Sequence, residues 1–343
     1  MAVADYSETR DEQTDDGAFR RQPNRFTGRF GVGPDRLPVE PGRYRLIVSP
    51  RCGWSRRQLI ARRVLGLEDA ISVGYVHRRD EDGWLFENQP GGVDEALGVP
   101  RLNDVYRRTD PDYRGRGTVP TVVDVRSGLV VTNDYHTLSV DLATAWRPLH
   151  APGAPDLYPA DLAPHIDLLN QQLFDDVNNG PYKMLFATGL PAARAARAVF
   201  EARLADLDFR LTSRRYLFGP RLTDSDVRLF VTLLSYDTGY RPSIPHQVGA
   251  TAQVKDFPHL WAYARDLFAT PGFVDRLEQV AAGLIPADDG RITSGFGERS
   301  PAPATLPLEE WLAPHDRSSL LGDSRTSGPG GAGTAALWRW ARS

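Results

Sequence analysis

The chain carries two kinds of hydrophobic periodicity, one after the other. "YRLIVS" (44–49) is a short apolar run of strand length. Next, Leu59, Ile60, Val64 and Leu65 fall at helical spacing, with Arg56, Arg57, Arg62 and Arg63 as the polar face. "ISVGYV" (71–76) reads as a second strand. Residues 77–118 show no period and read as irregular. "TVVDV" (121–125) and "LVVT" (129–132) flank Arg126-Ser127-Gly128, a hairpin signal. A helix is predicted over about 135–146. This order predicts an α/β domain with a mixed sheet over 43–147, preceded by an N-terminal extension, 1–42, that wraps the surface.

After the Pro/Ala-rich linker "RPLHAPGAPDLYPA" (147–160) the pattern becomes helical. Ile166, Leu169, Leu173 and Val177 line one helix that stops near Gly180. Val199, Leu204, Leu207 and Leu211 line a second. "LTDSDVRLFVTLL" (222–234) opens a third, with Thr223 and Asp226 at N-cap and N3 spacing and Leu222 as the staple residue. Asp226 is therefore read as a cap. "HLWAYARDLF" (259–268) is a fourth helix, with Trp261, Tyr263 and Phe268 assigned to the core. An all-α domain is predicted over 155–286. Periodicity is lost over 287–343, which reads as an irregular, partly disordered tail that includes the low-complexity run 324–336 and the apolar and basic "LWRWARS" terminus.

Composition narrows the function classes. The chain is 41% hydrophobic and 25% charged, with a net charge of −3. That balance offers no field for nucleic acid or an anionic membrane. No apolar run approaches the roughly 20 residues a spanning helix needs. The acidic start has no apolar signal segment, and one cysteine cannot form an internal disulfide, so a cytoplasmic setting is expected. Only Lys183 and Lys255 among 41 basic residues are lysine, which marks a GC-rich genome. The seven histidines have no metal-ligand spacing and read as surface or loop residues, so no metal is expected.

The candidate chemistry centres on Cys52, between the first strand and the first helix. If the helix begins at Gly53 or Trp54, Cys52 is its N-cap. Unpaired backbone N–H groups and the positive end of the helix dipole favour a thiolate there. Arg51, Arg56 and Arg57 add positive potential. A thiolate attacks sulfur or carbon electrophiles. An inert core cysteine is the other reading, and the local pattern leaves both open. "TVPTVV" (118–123) then bears on the choice. A proline directly before a strand, in a domain that opens strand–Cys–helix, matches the thioredoxin-like layout, where a cis proline faces the cysteine. A cis Val119–Pro120 bond is expected.

Several further blocks, in order, resemble the glutathionyl-hydroquinone reductases, or Xi-class glutathione transferases. They include "GAFRRQPNRF" (17–26), Cys52 with Trp54 two residues on, "GLED" (66–69), "GWLF" (83–86), "DPDYRGRGTVP" (110–120), "NNGPYKMLFATG" (178–189) and "FPHLWAYARDLFATPG" (257–272). The resemblance covers about residues 17–280. It implies the glutathione transferase fold: a thioredoxin-like α/β N-terminal domain followed by an all-α C-terminal domain, paired as a homodimer. It implies that Cys52 attacks the sulfur of a thiol conjugate of a quinone or other aromatic, and that glutathione, as co-substrate, resolves the mixed disulfide. Trp84, Arg116 and Val119 would line the thiol site, with Val119 offering backbone hydrogen bonds and Arg116 a charge for a carboxylate. Tyr182 and Tyr240 would face the aromatic group. The alternative from another class is a non-catalytic binding or assembly protein.

The chain departs from the family pattern in three places. Gly53 stands where the family has proline after the cysteine. Asn133-Asp134-Tyr135 replaces Asn-Glu-Ser, whose last two residues hold the γ-glutamyl group. The "HYY" segment expected after the last domain helix is absent; "VAAGLIPADDGRITSGF" (280–296) stands there. An Asp134-Tyr135 site, in a GC-rich actinobacterial setting, would suit mycothiol, a thiol without a γ-glutamyl group.

Overall fold

The computed structural model describes residues 12–288 and 308–320. Strand β1 (Tyr44–Val48) pairs in parallel with β2 (Ile71–Tyr75) through the crossover helix α1 (Gly53–Val64). A two-stranded ribbon follows, β3 (Arg78–Asp80) with β4 (Gly83–Leu85). After helix α2 (Leu102–Thr109), strand β5 (Thr121–Asp124) runs antiparallel to β1, and β6 (Leu129–Thr132) antiparallel to β5. The sheet order is β2–β1–β5–β6. Helix α3 (Leu138–Thr144) completes the unit. This is the expected thioredoxin-like arrangement with its mixed sheet.

The crossover is sharply terminated. Gly66 has φ +70°, and its N–H donates to Arg63 O while Leu67 N–H donates to Arg62 O. That pair of bonds is the glycine-ended helix stop in which the left-handed residue turns the chain out. A side chain at Gly66 is also excluded by space, since its Cβ would lie 2.3 Å from Ala151 Cβ.

Two sequence expectations need correction here. The stretch 77–118 contains β3, β4 and α2. A helix of eight residues repeats its pattern barely twice, and α2 buries only Leu102, Asn103, Val105 and Tyr106, so it carries almost no period. Arg56 and Arg57, read as a polar face, are fully buried. The reason is that α1 has a neighbour on each side: the sheet on one, the helical domain on the other.

The helical part begins with α4 (Ala163–Gln172), which continues through a π-helical turn, Leu173–Asn178. Next come α5 (Gly180–Phe186) and α6 (Leu190–Arg210). Helix α7 (Asp224–Ser235) also runs into a π-helical turn, Tyr236–Tyr240. Helices α8 (Pro258–Phe268) and α9 (Arg276–Ala281) complete the layer. On α6, Leu204 and Leu207 face inward as expected, but Val199 is 48% exposed and Phe200 takes its inward place. Helix α7 opens with the predicted capping box: Asp226 accepts from Thr223 N–H at 2.8 Å. The same buried carboxylate accepts from Leu217 N–H and the Tyr263 hydroxyl, both at 2.9 Å. These bonds make Asp226 a structural cap. Among the described residues no helix is long and apolar enough to cross a membrane.

The tail predicted to be irregular carries a short helix, α10 (Leu308–Leu312). Trp311 is buried, with its ring 4.7 Å from Trp261 and 5.1 Å from Phe268. Arg317 follows, donating to the carbonyls of Leu211, Arg214, Arg215 and His259. Two anchors, one apolar and one cationic, thus hold a segment whose own sequence has no period. The run 324–336 and the "LWRWARS" terminus lie outside the described residues.

Trp311→Ala should test the first anchor. Truncating a buried tryptophan typically costs about 3 kcal/mol or more, so the unfolding midpoint in urea should fall by the equivalent amount. An unchanged midpoint would show that the tail adds no stability.

Candidate active site

Cys52 is the N-cap of α1, in extended backbone conformation. Its N–H donates to Ser49 O, and its carbonyl accepts the first helical bond, from Arg56 N–H at 2.9 Å. The Cys52 thiol donates to the carbonyl of Val119 at 3.5 Å. The Val119–Pro120 peptide is cis, as expected. Three side chains pin this loop. The Tyr106 hydroxyl donates to Thr118 O and bonds the Thr121 hydroxyl, Asn133 Nδ2 donates to the Thr118 hydroxyl, and Asn103 Oδ1 accepts from Gly117 N–H. The cysteine and the residue facing it therefore both sit on well-fixed backbone.

An aromatic group lies beside the helix start. Trp54 packs against Tyr135 at 4.8 Å, Phe174 at 5.6 Å and Tyr182 at 6.4 Å. Tyr182 and Tyr240 come together: the Tyr240 hydroxyl donates to that of Tyr182 at 3.2 Å. Tyr240 Oη also lies 3.7 Å from where a Cβ on Gly53 would sit. The two tyrosines thus reach the start of α1 from the helical domain. Burial pushes the pKa of both hydroxyls up, so they remain protonated donors well above neutrality. The two π-helical turns deliver this group, one carrying Phe174 and the other Tyr240. Such turns recur at functional sites because the extra residue rotates the following side chains off the helical face.

The other predicted residues are placed differently. Trp84, on β4, has Arg79 over its ring at 5.3 Å, and no ring contact joins it to the Trp54 group among the described residues. Arg116 is paired with Glu12, Nη2 to Oε1 at 3.3 Å. Asp134 accepts from Asn24 Nδ2, His136 N–H and the Thr137 hydroxyl, so its carboxylate shapes the turn into α3. The Tyr135 ring is turned into the domain seam, and its carbonyl accepts from Arg57 and Gln58. Burial pushes the Tyr135 pKa up to about 12. His136, read as a surface or loop residue, packs edge-on against Phe174 and tilted against Tyr135, both at 4.4 Å between ring centroids. Burial lowers its pKa to about 4.

The N-terminal extension does more than wrap the surface. Phe19 stacks 6.2 Å from Tyr182, and the Arg21 guanidinium lies 4.3 Å from the Tyr182 ring centre and 5.0 Å from that of Trp54. Neither residue was predicted for the site. Both lie in the block 17–26 that carries the family resemblance, which was the only signal available. Among the described residues no cluster of three potential ligands is placed to hold a metal ion.

Comparison with known proteins decides the family. No family model matches the chain. Glutathionyl-hydroquinone reductase YqjG of Escherichia coli K12 is 36% identical over 276 residues, covering 77% of this chain and 83% of YqjG. The chain belongs to the glutathionyl-hydroquinone reductase family, the Xi-class glutathione transferases. The structure of YqjG with bound glutathione matches with a TM-score of 0.70 at 32% identity, over 88% of this chain and 98% of that one. The Xi transferase of Phanerochaete chrysosporium matches with a TM-score of 0.75 at 31% identity, over 89% and 97% of the two chains. A glutathione transferase from Gordonia bronchialis is 40% identical, with a TM-score of 0.74 over 83% and 88%. The family assignment agrees with the fold read from the elements alone.

One acidic group beside the site gives a pH prediction. Asp237, in the π-helical turn that ends at Tyr240, is buried and accepts from Val254 N–H. Burial pushes its pKa up to about 6. An unfolded Asp titrates near 3.9. Between those values the native state holds more protons than the unfolded one, so this group's contribution to stability falls as pH rises. Asp237→Asn should therefore gain on the wild type by up to about 3 kcal/mol between about pH 4 and pH 7. Urea unfolding at the two pH values reads the difference, and a gap that does not widen would contradict it.

Proposed function

We propose that this protein is a thiol-dependent reductase that strips a low-molecular-weight thiol from a hydroquinone or related aromatic conjugate, with Cys52 as nucleophile. The observation that carries the reading is the position of Cys52: capping α1, 3.5 Å from the Val119 carbonyl, beside the paired hydroxyls of Tyr182 and Tyr240. One side offers backbone to a thiol peptide and the other offers rings and hydroxyls to an aromatic. The named activity of YqjG and its structure with glutathione support the same pairing.

The chemistry constrains the order of events. The Cys52 thiolate attacks the conjugate's sulfur; an S–S bond forms and the sulfur–aryl carbon bond breaks. An aryl carbanion is too basic to leave, so that carbon must first gain a proton. The ring does this by passing to its keto form: a hydroxyl proton is lost and the sulfur-bearing carbon is protonated. The Tyr240–Tyr182 hydroxyl pair relays that proton, one hydroxyl taking the ring's hydroxyl proton as the other protonates the carbon, so neither tyrosine changes charge overall. Cleavage then returns the electron pair to the ring, restores aromaticity and leaves the charge on a phenolate oxygen. A second thiolate attacks the mixed disulfide and frees Cys52. The sum is conjugate plus thiol giving hydroquinone plus disulfide: two thiol sulfurs are oxidised by two electrons, and the ring is reduced by the same two.

Glutathione is the co-substrate in this reading. A specific observation favours a second thiol, mycothiol: Asp134 is committed to its turn and Tyr135 faces the domain seam, so neither residue replaces the family's Glu-Ser pair.

Three measurements test the proposal. Cys52→Ser should reduce turnover of a glutathionyl-hydroquinone below about a thousandth of wild type, while a protein that only binds would keep its affinity and have no turnover to lose. Intact mass after separate incubation with glutathione disulfide and mycothiol disulfide should show one adduct, on Cys52. Turnover with glutathione equal to or better than that with mycothiol rejects the second thiol.

A further inference from the structure

Arg21 carries an unsatisfied donor among the rings of the site. Its guanidinium is stacked among the rings of Tyr182, Trp54 and Phe19, with centroid distances of 4.3, 5.0 and 5.4 Å. Nε donates to Asn179 Oδ1 at 3.1 Å, which sets the plane of the group. Nη2 is shielded from solvent and has no hydrogen-bond partner. Among the described residues no carboxylate lies within ion-pair distance of Arg21. Arg21 is half-buried, and a shielded guanidinium N–H without an acceptor is unfavourable unless something supplies one. Arg56, one turn into α1, is buried and also lacks a carboxylate, with Nε and Nη1 unpartnered. The aromatic end of the site therefore carries two arginines that no carboxylate pairs among the described residues, each with an unpartnered N–H.

We infer that Arg21 is a catalytic residue that holds the phenolate oxygen generated when the aromatic group leaves. The inference rests on the reductase reading above and adds the chemistry of the leaving step. When the sulfur–carbon bond breaks, the electron pair enters the ring and the ketone oxygen becomes a phenolate. That anion is planar and aromatic, and it forms among rings that suit it. A guanidinium is planar, permanently charged and stacks on aromatic faces, so it matches the phenolate in shape and charge. It meets full negative charge only after the bond has begun to break, so it favours the transition state over the bound conjugate. Arg116 does not serve this purpose, because Glu12 already neutralises it.

The test separates the leaving group from the nucleophile. p-Nitrophenol is the probe for the anion site, since its ionised form is coloured and it has no thiol chemistry. Bound to wild type, it should ionise about one pH unit lower than in free solution, as expected for a phenol beside an arginine. In R21M that lowering should disappear. Turnover of glutathionyl-hydroquinones should fall about 100-fold in R21M, and the loss should grow across conjugates whose parent phenols are less acidic. Exchange of Cys52 with dithiodipyridine, which releases no phenolate, should stay within about twofold of wild type. R21K, which keeps the charge, should retain part of the lowered ionisation and serves if R21M does not fold. An equal loss in turnover and in dithiodipyridine exchange would mean that Arg21 acts on Cys52, and would overturn the assignment. So would unchanged p-nitrophenol ionisation on binding to wild type, whether or not Cys52 turns out to exchange thiols.

Discussion

Helix α1 is buried on every face from Gly53 to Ala61, and much of the structure follows from that. Its apolar residues meet the sheet, while the face carrying Arg56 and Arg57 meets α7 and the π-helical turn that follows α4. Burying charge in such a seam costs several kcal/mol per ion unless hydrogen bonds offset it. The seam supplies many of those bonds, while Arg56 Nε and Nη1 and Arg57 Nε have no partner among the described residues. Arg56 bonds the Ser235 hydroxyl, and Arg57 donates to Tyr135 O and Asn178 Oδ1. Arg228 on α7 pairs with Asp224 and donates to His136 O. Arg63 reaches Glu278 at the far end. The bonds from Arg56 to Ser235, Arg57 to Asn178, Arg228 to His136 and Arg63 to Glu278 join the α/β unit to the helical one, and each has directional geometry. Together they fix how the two units meet, and so which helical-domain side chains face Cys52.

The seam also explains the two π-helical turns. A regular helix repeats its faces every 3.6 residues, so a helix that buries one stripe in its own domain's core presents that stripe along its whole length. Helices α4 and α7 must pack within their own domain and then direct a ring toward α1. One extra residue per turn achieves the change of direction without breaking the helix. Phe174 and Tyr240 lie in those turns.

These relations separate what the sequence carried openly from what it did not. Strand–Cys–helix, the hairpin around Arg126-Ser127-Gly128 and the cap at Thr223–Asp226 are local devices, set by residues within a few positions of one another, and each was readable. Arg56 and Arg57 were misread because a helix with two neighbours shows the same polar positions as one with a solvated face. The tail segment around Trp311 had no period because two side chains hold it, and two contacts make no repeat. Phe19 and Arg21 were harder still. They act about 160 positions from their partners Asn179 and Tyr182, and no short-range pattern records that pairing.

The same long-range contacts bear on specificity. At the thiol end, Arg116 is neutralised by Glu12 and Asp134 is spent on a turn, so side-chain charge is already committed to the fold. In the proposed reading, recognition there falls chiefly to backbone. At the aromatic end the opposite holds: Tyr182 and Tyr240 present hydroxyls to each other, and Arg21 has an unpaired buried donor. A site built to bond an oxygen rejects analogues lacking it far more strongly than an apolar site rejects a change of size. In the proposed reaction, then, discrimination resides chiefly in the group that departs and only weakly in the thiol it leaves behind. Replacing the family's Glu-Ser pair by Asp134-Tyr135 is tolerable on those terms, because it alters the end of the cleft that selects least.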